Sequence, residues 1–215
     1  GQPGGGVPYD QRYEDYAKVI AAAFACDLTR VATIAFAGQD AADCGGAPGS
    51  DLHNDYAHDT SDRNPRGGNE ASDSIMTQAA VNHAGHIATL LAALDAHKEP
   101  DGTSLLDSTI IVWTSELACG RHDGSRAYSD VPFILAGGGD AFNLGRYVSF
   151  AESYAAPYSA VQGPVPDQVG PSHNQLLVSL CQAMGLSHVS SVGVESVTLT
   201  DNNVLDCTGP LPGLT

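Results

Sequence analysis

Apolar side chains recur every three to four positions in three stretches of the chain, and this period predicts amphipathic helices. The three stretches are residues 9–27, 74–96 and 172–184. The last one opens with Ser172, a residue type that caps helix N-termini, and Gly185 follows it as a residue type that ends helices. We therefore expect three helices, and the periodicity is clearest over residues 74–96.

Three shorter runs are predominantly apolar and contain β-branched or aromatic residues, which predicts strands. They are residues 30–37, 108–114 and 131–136. The run over 108–114, STIIVWT, is nearly continuous, as expected of a strand buried on both faces. Because helices alternate with these strands, the predicted fold class is α/β, with a mostly parallel sheet flanked by helices. Residues 1–8 are predicted to be a linker or a processed N-terminal segment, and residues 9–215 a single α/β domain.

Acidic residues outnumber basic residues by 25 to 9, which gives the chain a formal net charge of −16. Such a charge repels phosphate backbones and anionic lipid, so nucleic acid and membrane surfaces are poor partners. No apolar stretch approaches the length of a membrane span. The low lysine content and the dispersed cysteines favour an oxidising compartment, so we expect a secreted, periplasmic or cell-surface protein.

Five cysteines are present, and none of them forms a C-x-x-C pair. Proximity in sequence favours disulfides between Cys26 and Cys44 and between Cys181 and Cys207. Because the count is odd, fifteen pairings that leave one cysteine over are open. The alternative is that all five are small buried apolar residues.

The loop from Asp51 to Asp59 concentrates groups that bind metals. Its nine residues include His53, His58 and three aspartates, Asp59 among them. Imidazole and carboxylate together suit zinc, iron or manganese, whereas carboxylates alone suit calcium. The alternative is a solvated acidic loop whose histidines cap turns.

Four further residues are candidates by their positions. Glu116 follows the predicted strand 108–114, and ligands in open α/β sheets bind at the carboxyl ends of strands. Arg121 can clamp an anion, and His122 can act as a ligand or a general acid. His173 lies at a helix N-terminus, where backbone amides favour anions. The alternatives are that Glu116 caps the next turn or pairs with Arg121, that GRHDG is an ordinary surface loop, and that His173 caps the helix or packs against it.

Several blocks follow one another over nearly the whole chain: AFACDLTRVATIAF, LHNDYAHDTSD, LDSTIIVWTSELACGRHDGSRAYSDVPFILAGGGDAFNLGRYV, SHNQLLVSLCQAMGL and CTGPLPGL. In this order they resemble a large group of secreted bacterial proteins of unknown function that is named for an H-x-x-S-H-H motif. LHNDYAHDTSD sits where that motif belongs. Here Ala57 replaces the serine of the motif and Asp59 replaces its last histidine.

That family is similar in turn to the alkaline phosphatase and sulfatase superfamily. The resemblance implies an alkaline-phosphatase-like fold, of which this chain matches the later part of a longer precursor domain. It also implies a divalent metal, with zinc, calcium and manganese as the candidates. The implied metal ligands are His53, His58, Asp59, Glu116 and His122. The implied substrate-binding residues are Arg121 and His173. The nucleophile of the superfamily lies near the start of its domain, outside the matched part, so the catalytic set is incomplete.

Two functions follow from these observations. The first is an exported, metal-dependent hydrolase of phosphate or sulfate esters. The second is a non-catalytic secreted structural or surface-assembly protein, whose partner is a second copy or another extracellular protein. The altered motif and the unmatched front half favour the second, and a module for cationic glycans or peptides is a third reading from charge alone. The sequence leaves the choice between enzyme and structural protein open.

Overall fold

The computed structural model describes residues 8–60, 69–115, 131–150, 170–198 and 204–214 of the chain. Its contacts divide the chain into two compact units, Gly1–Ile111 and Val112–Thr215. The helices are α1 (Tyr9–Ala25), α2 (Glu70–Ala96) and α3 (His173–Ala183). The strands are β1 (Ile110–Thr114), β2 (Phe133–Gly137), β3 (Ser191–Thr198) and β4 (Val204–Thr208).

In the first unit, α1 packs against α2 around a small apolar core. The buried centre consists of Ala17 from α1, Leu90 and Leu94 from α2, and Leu105. Helix α2 starts four residues before the predicted position because Asn69 caps it, with a side chain that accepts a hydrogen bond of 3.0 Å from the amide of Ala71. The predictions of α1 and α2 are therefore confirmed.

The predicted strand over residues 30–37 joins no sheet among the described residues. Its side chains alternate along residues 33–37, with Ile34 and Phe36 half-buried and their neighbours exposed. Alternation of this kind is typical of an extended chain, but no strand forms over these residues. What is missing is a neighbouring strand.

In the second unit, α3 packs on the hairpin of β3 and β4. Strands β3 and β4 are antiparallel, with an irregularity between Ser191 and Ser196. The side chain of Gln175 donates to the carbonyl of Thr208 at 2.8 Å, and that of Asn174 donates to the carbonyl of Val192 at 2.7 Å. Ser172 caps α3 through a bond of 3.1 Å from the amide of Asn174, as the sequence predicts.

The predicted fold class, a mostly parallel, alkaline-phosphatase-like sheet flanked by helices, is wrong for the described residues. They form two separate sheets of two strands each, β1 with β2 and β3 with β4. Val112 in β1 and Ile134 in β2 are 38% and 50% exposed, so these strands are not covered on both faces. Only five residues separate β3 from β4, which suits an antiparallel hairpin and is too short for a parallel crossover. Among the described residues, no helix has the length and apolar character needed to cross a membrane.

Candidate functional site

The loop that carries His53 and His58 is held against α2 by a small apolar cluster. Its buried centre consists of Cys44, Ile75 and Ala79, and Leu52 and Tyr56 pack against it. Ile75 and Ala79 lie one helical turn apart on α2, so the loop covers one stripe of that helix.

Tyr56 also closes the loop on itself. Its hydroxyl accepts a hydrogen bond of 2.8 Å from the amide of Ala47 and lies 3.0 Å from the hydroxyl of Ser50. Gly46 lies directly beneath it, where an added Cβ would stand 3.0 Å from the ring of Tyr56 and 2.9 Å from the carbonyl oxygen of Ala41. The loop is therefore a folded structure rather than a solvated tether.

A short π-helical turn, Leu52–Tyr56, presents His53, and two aspartates fix this turn. Asp51 accepts a hydrogen bond of 2.7 Å from the amide of Asn54, and Asp55 accepts one of 2.8 Å from the amide of Asp51. The bond from Asn54 stabilises the ionised carboxylate, so it lowers the pKa of Asp51 below its usual value. Both carboxylates therefore serve to shape the turn.

The imidazoles of His53 and His58 meet at their Nε2 atoms. The two nitrogens lie 3.2 Å apart, the ring centroids lie 4.5 Å apart, and the ring planes are inclined by 72°. Two nitrogens bound at about 2.0–2.1 Å to one tetrahedral zinc ion lie about 3.3 Å apart. The same separation also suits a hydrogen bond between two neutral imidazoles. The geometry thus supports either a shared proton or a shared metal ion.

Asp59 has a different neighbour. Its Oδ2 accepts a hydrogen bond of 3.2 Å from the hydroxyl of Ser72, which is buried on α2, and its carbonyl accepts one of 3.1 Å from the amide of Asn69. Across the described parts of the chain, no group of three or more His, Cys, Asp or Glu side chains is arranged to hold an ion. The structure therefore brings His53 and His58 together and ties Asp59 to the start of α2.

The other predicted site residues divide into two sets. Glu116, Arg121 and His122 lie outside the described residues, so their roles remain predictions. His173 is the first residue of α3, and its ring meets the ring of Phe133 edge-on, with 5.0 Å between the centroids. Surrounding protein desolvates this imidazole and lowers its pKa, which favours the neutral form over a cation that would attract an anion.

A second group of histidines lies between α1 and α2. The Nε2 atom of His83 lies 3.2 Å from the hydroxyl of Tyr9, and its ring stacks on Phe36 with 4.9 Å between the centroids. His86 stacks on Tyr13 with 4.6 Å between the centroids. The position of His83 near the apolar stripe of α2 indicates a packed histidine. No local pattern in the sequence predicts that Phe36 packs on this ring, because the two residues lie 47 positions apart.

Four of the five cysteines are described, and each is a free thiol in this structure: Cys26, Cys44, Cys181 and Cys207. Cys44 and Cys207 are buried, whereas Cys26 is exposed. Neither of the expected disulfides is formed, and Cys119 lies outside the described residues.

Comparison with known proteins leaves the family open. No protein-family model, no curated protein and no solved structure matches this chain. The resemblance to the secreted bacterial family therefore rests on the sequence blocks alone.

Proposed function

We propose that His53 and His58 bind one divalent transition-metal ion. The observation that carries this proposal is the separation of 3.2 Å between their Nε2 atoms, which is close to the spacing of two nitrogens on one zinc ion. Imidazole ligands favour zinc or a similar transition metal over calcium, which takes oxygen ligands.

The folded loop supports this proposal because its own hydrogen bonds position the two segments that carry the imidazoles. Asp51 and Asp55 hold the turn around His53, and the bond between Asp59 and Ser72 anchors the segment directly after His58 to α2. A site built in advance loses less conformational entropy when it binds an ion. The two imidazoles would supply two ligands to a tetrahedral ion, and water or a substrate oxygen would supply the others.

For the reaction, we propose hydrolysis of a phosphate or sulfate ester by an exported protein. This part rests on the sequence resemblance together with the paired imidazoles. A divalent ion bound there would polarise an ester oxygen and activate a water molecule, whose oxygen would attack the phosphorus or sulfur atom while the alcohol leaves. In this arrangement, His53 and His58 hold the ion and the carboxylates of the loop orient the turn that carries His53.

A non-catalytic, metal-stabilised assembly protein is the second candidate. Two positions of the family motif favour it. Ala57 has no hydroxyl where the motif has serine, and Asp59 is bonded to Ser72 where the motif has a histidine. Ala57 therefore lacks the hydroxyl of the motif, and Asp59 contacts α2.

Isothermal titration with zinc chloride tests the metal site. We expect wild-type protein to bind one zinc ion per chain, and His53→Ala or His58→Ala to weaken binding at least roughly tenfold, since each imidazole carries a large share of the binding free energy. His97→Ala is the matched control, because His97 is an exposed residue at the end of α2. Equal zinc binding by all four proteins would refute the proposal.

Turnover of 4-nitrophenyl phosphate and 4-nitrophenyl sulfate by the same four proteins separates the two candidates. Hydrolysis that requires zinc and is lost in His53→Ala supports the enzyme. Zinc binding that raises thermal stability without any turnover supports the assembly protein.

A further inference from the structure

The extended segment over residues 31–37 has the properties of a strand at the open edge of a sheet. Ile34 packs against the core of the first unit, and the ring centroid of Phe36 lies 5.0 Å from that of Tyr13. Thr33 and Ala35, between and beside them, are exposed. The side chains on one face of the segment therefore pack on α1, as in a strand that lies on a helix.

Within the described part of the chain, the backbone of this segment is hydrogen-bonded along one edge. The hydroxyl of Tyr13 donates to the carbonyl of Ala35 at 3.1 Å and accepts from the amide of Ala37 at 3.1 Å. Successive residues of an extended chain direct their backbone groups to opposite edges. Ala32, Ile34 and Phe36 therefore present theirs at the other edge, and these groups form no hydrogen bond within the described part of the chain.

An apolar groove runs beside the segment. It has a volume of about 410 Å³ and is lined by Tyr16, Val19, Ile20 and residues 32–35. Val19 is 65% exposed and Val31 is 78% exposed, although neither carries a polar group. Contiguous apolar surface of this kind marks a site of association.

The charge of this surface differs from that of the whole chain. Residues 16–37 contain two basic residues and one acidic residue, whereas the chain as a whole carries a net charge of −16. Lys18 pairs with Asp15 at 3.7 Å, and Arg30 pairs with Asp27 at 3.0 Å. Two copies of this acidic protein can therefore meet at this surface without the repulsion that their other surfaces impose.

We propose that residues 31–37 pair with the same residues of a second copy, as antiparallel strands related by a twofold axis at Ile34. This register places Ile34 against Ile34 of the partner subunit and Ala32 against Phe36 of the partner subunit. In this register the outer-edge backbone groups of Ala32, Ile34 and Phe36, which have no partner among the described residues, pair with those of the second copy. The side chains that pack on α1 stay on one face of the joined sheet. The proposal is independent of the metal site.

Sedimentation equilibrium of two proline variants tests this pairing. Ala32→Pro removes an amide that faces the second copy, twice per dimer. Thr33→Pro is the matched control, because Thr33 is also exposed and lies one residue further along the segment. Its backbone groups face the other edge, where the hydroxyl of Tyr13 bonds Ala35 and Ala37. We expect Ala32→Pro to raise the dimer dissociation constant roughly tenfold or more and Thr33→Pro to leave it near the wild-type value.

The salt dependence gives a second readout that does not depend on any variant. The remaining surfaces of the two copies still repel each other because each chain carries a net charge of −16. Added sodium chloride screens this repulsion, so we expect the wild-type dimer to tighten as salt rises. Circular dichroism establishes that both variants are folded. A wild-type protein that stays monomeric at every concentration and salt level would overturn the proposal, and so would equal dissociation constants for the two variants.

Discussion

Tyr13 links a helix to a distant segment through a single hydroxyl group. The side chain lies on α1, is 5% exposed, and its oxygen bonds both the carbonyl of Ala35 and the amide of Ala37. A partly buried hydroxyl that satisfies two backbone groups contributes more than an exposed one, because its loss leaves both groups without a protein partner. This hydroxyl therefore holds residues 35–37 on α1 together with the packed ring of Phe36.

We predict that Tyr13→Phe lowers the free energy of unfolding by about 1 kcal/mol, as expected for the loss of a hydrogen-bonded hydroxyl. Urea denaturation followed by circular dichroism measures the change. Tyr16→Phe on the same helix is the control, because the side chain of Tyr16 is 49% exposed. An equal decrease in the free energy of unfolding in the two variants would show that the hydrogen bonds of the Tyr13 hydroxyl do not stabilise the fold.

At the scale of elements, the contact between α1 and α2 contains two imidazoles, those of His83 and His86, which stack on aromatic rings. Burial lowers the pKa of both His83 and His86, while the carboxylates of Asp10 and Glu14 oppose that effect at His86. In the unfolded chain the pKa of each of these histidines is about 6.5. Their contribution to stability is therefore complete above that pH and is lost as the pH falls below it.

We predict that wild-type protein loses stability between about pH 7 and about pH 5, and that His83→Phe flattens this dependence, because phenylalanine keeps the stacking on Phe36 but cannot take up a proton. Denaturation curves at both pH values give the difference in the free energy of unfolding. His97→Phe, at an exposed position, is the control and should keep the wild-type slope. A wild-type slope in His83→Phe would contradict this account.

The helices were predictable from the sequence because their signals are local. The apolar stripe over 74–96 and the N-cap at Ser172 each act on residues only a few positions away in the same helix. The sheets were not predictable in this way, since a strand requires a partner outside its own segment. Residues 30–37 satisfy every local criterion for a strand and yet join no sheet among the described residues.

The same distinction explains the candidate site. His53 and His58 were predicted together because they lie five residues apart in one loop, and the folded turn does bring their Nε2 atoms together. The bond between Asp59 and Ser72 was not predictable, since it depends on how the loop packs on α2. The turn-forming roles of Asp51 and Asp55 have a local signal, because aspartate readily caps turns of its own backbone.

At the scale of the whole molecule, net charge separates the two proposed surfaces. A chain with a net charge of −16 attracts a divalent cation, and the loop of His53 and His58 adds the nitrogen ligands that select a transition metal. The surface of residues 16–37 lacks this excess of negative charge and suits association between copies. A metal site and an assembly surface are therefore compatible in one protein, whichever of the two candidate functions holds.

X-ray absorption spectroscopy of the zinc-loaded protein tests the shared-ion geometry most directly, because it counts imidazoles on the ion itself. We predict two imidazole nitrogens at about 2.0–2.1 Å in wild-type protein. His58→Ala should retain one of them, and His97→Ala should retain both. A zinc ion bound only by oxygen, or one whose imidazole count is unchanged in His58→Ala, would contradict the proposal that His53 and His58 hold the metal.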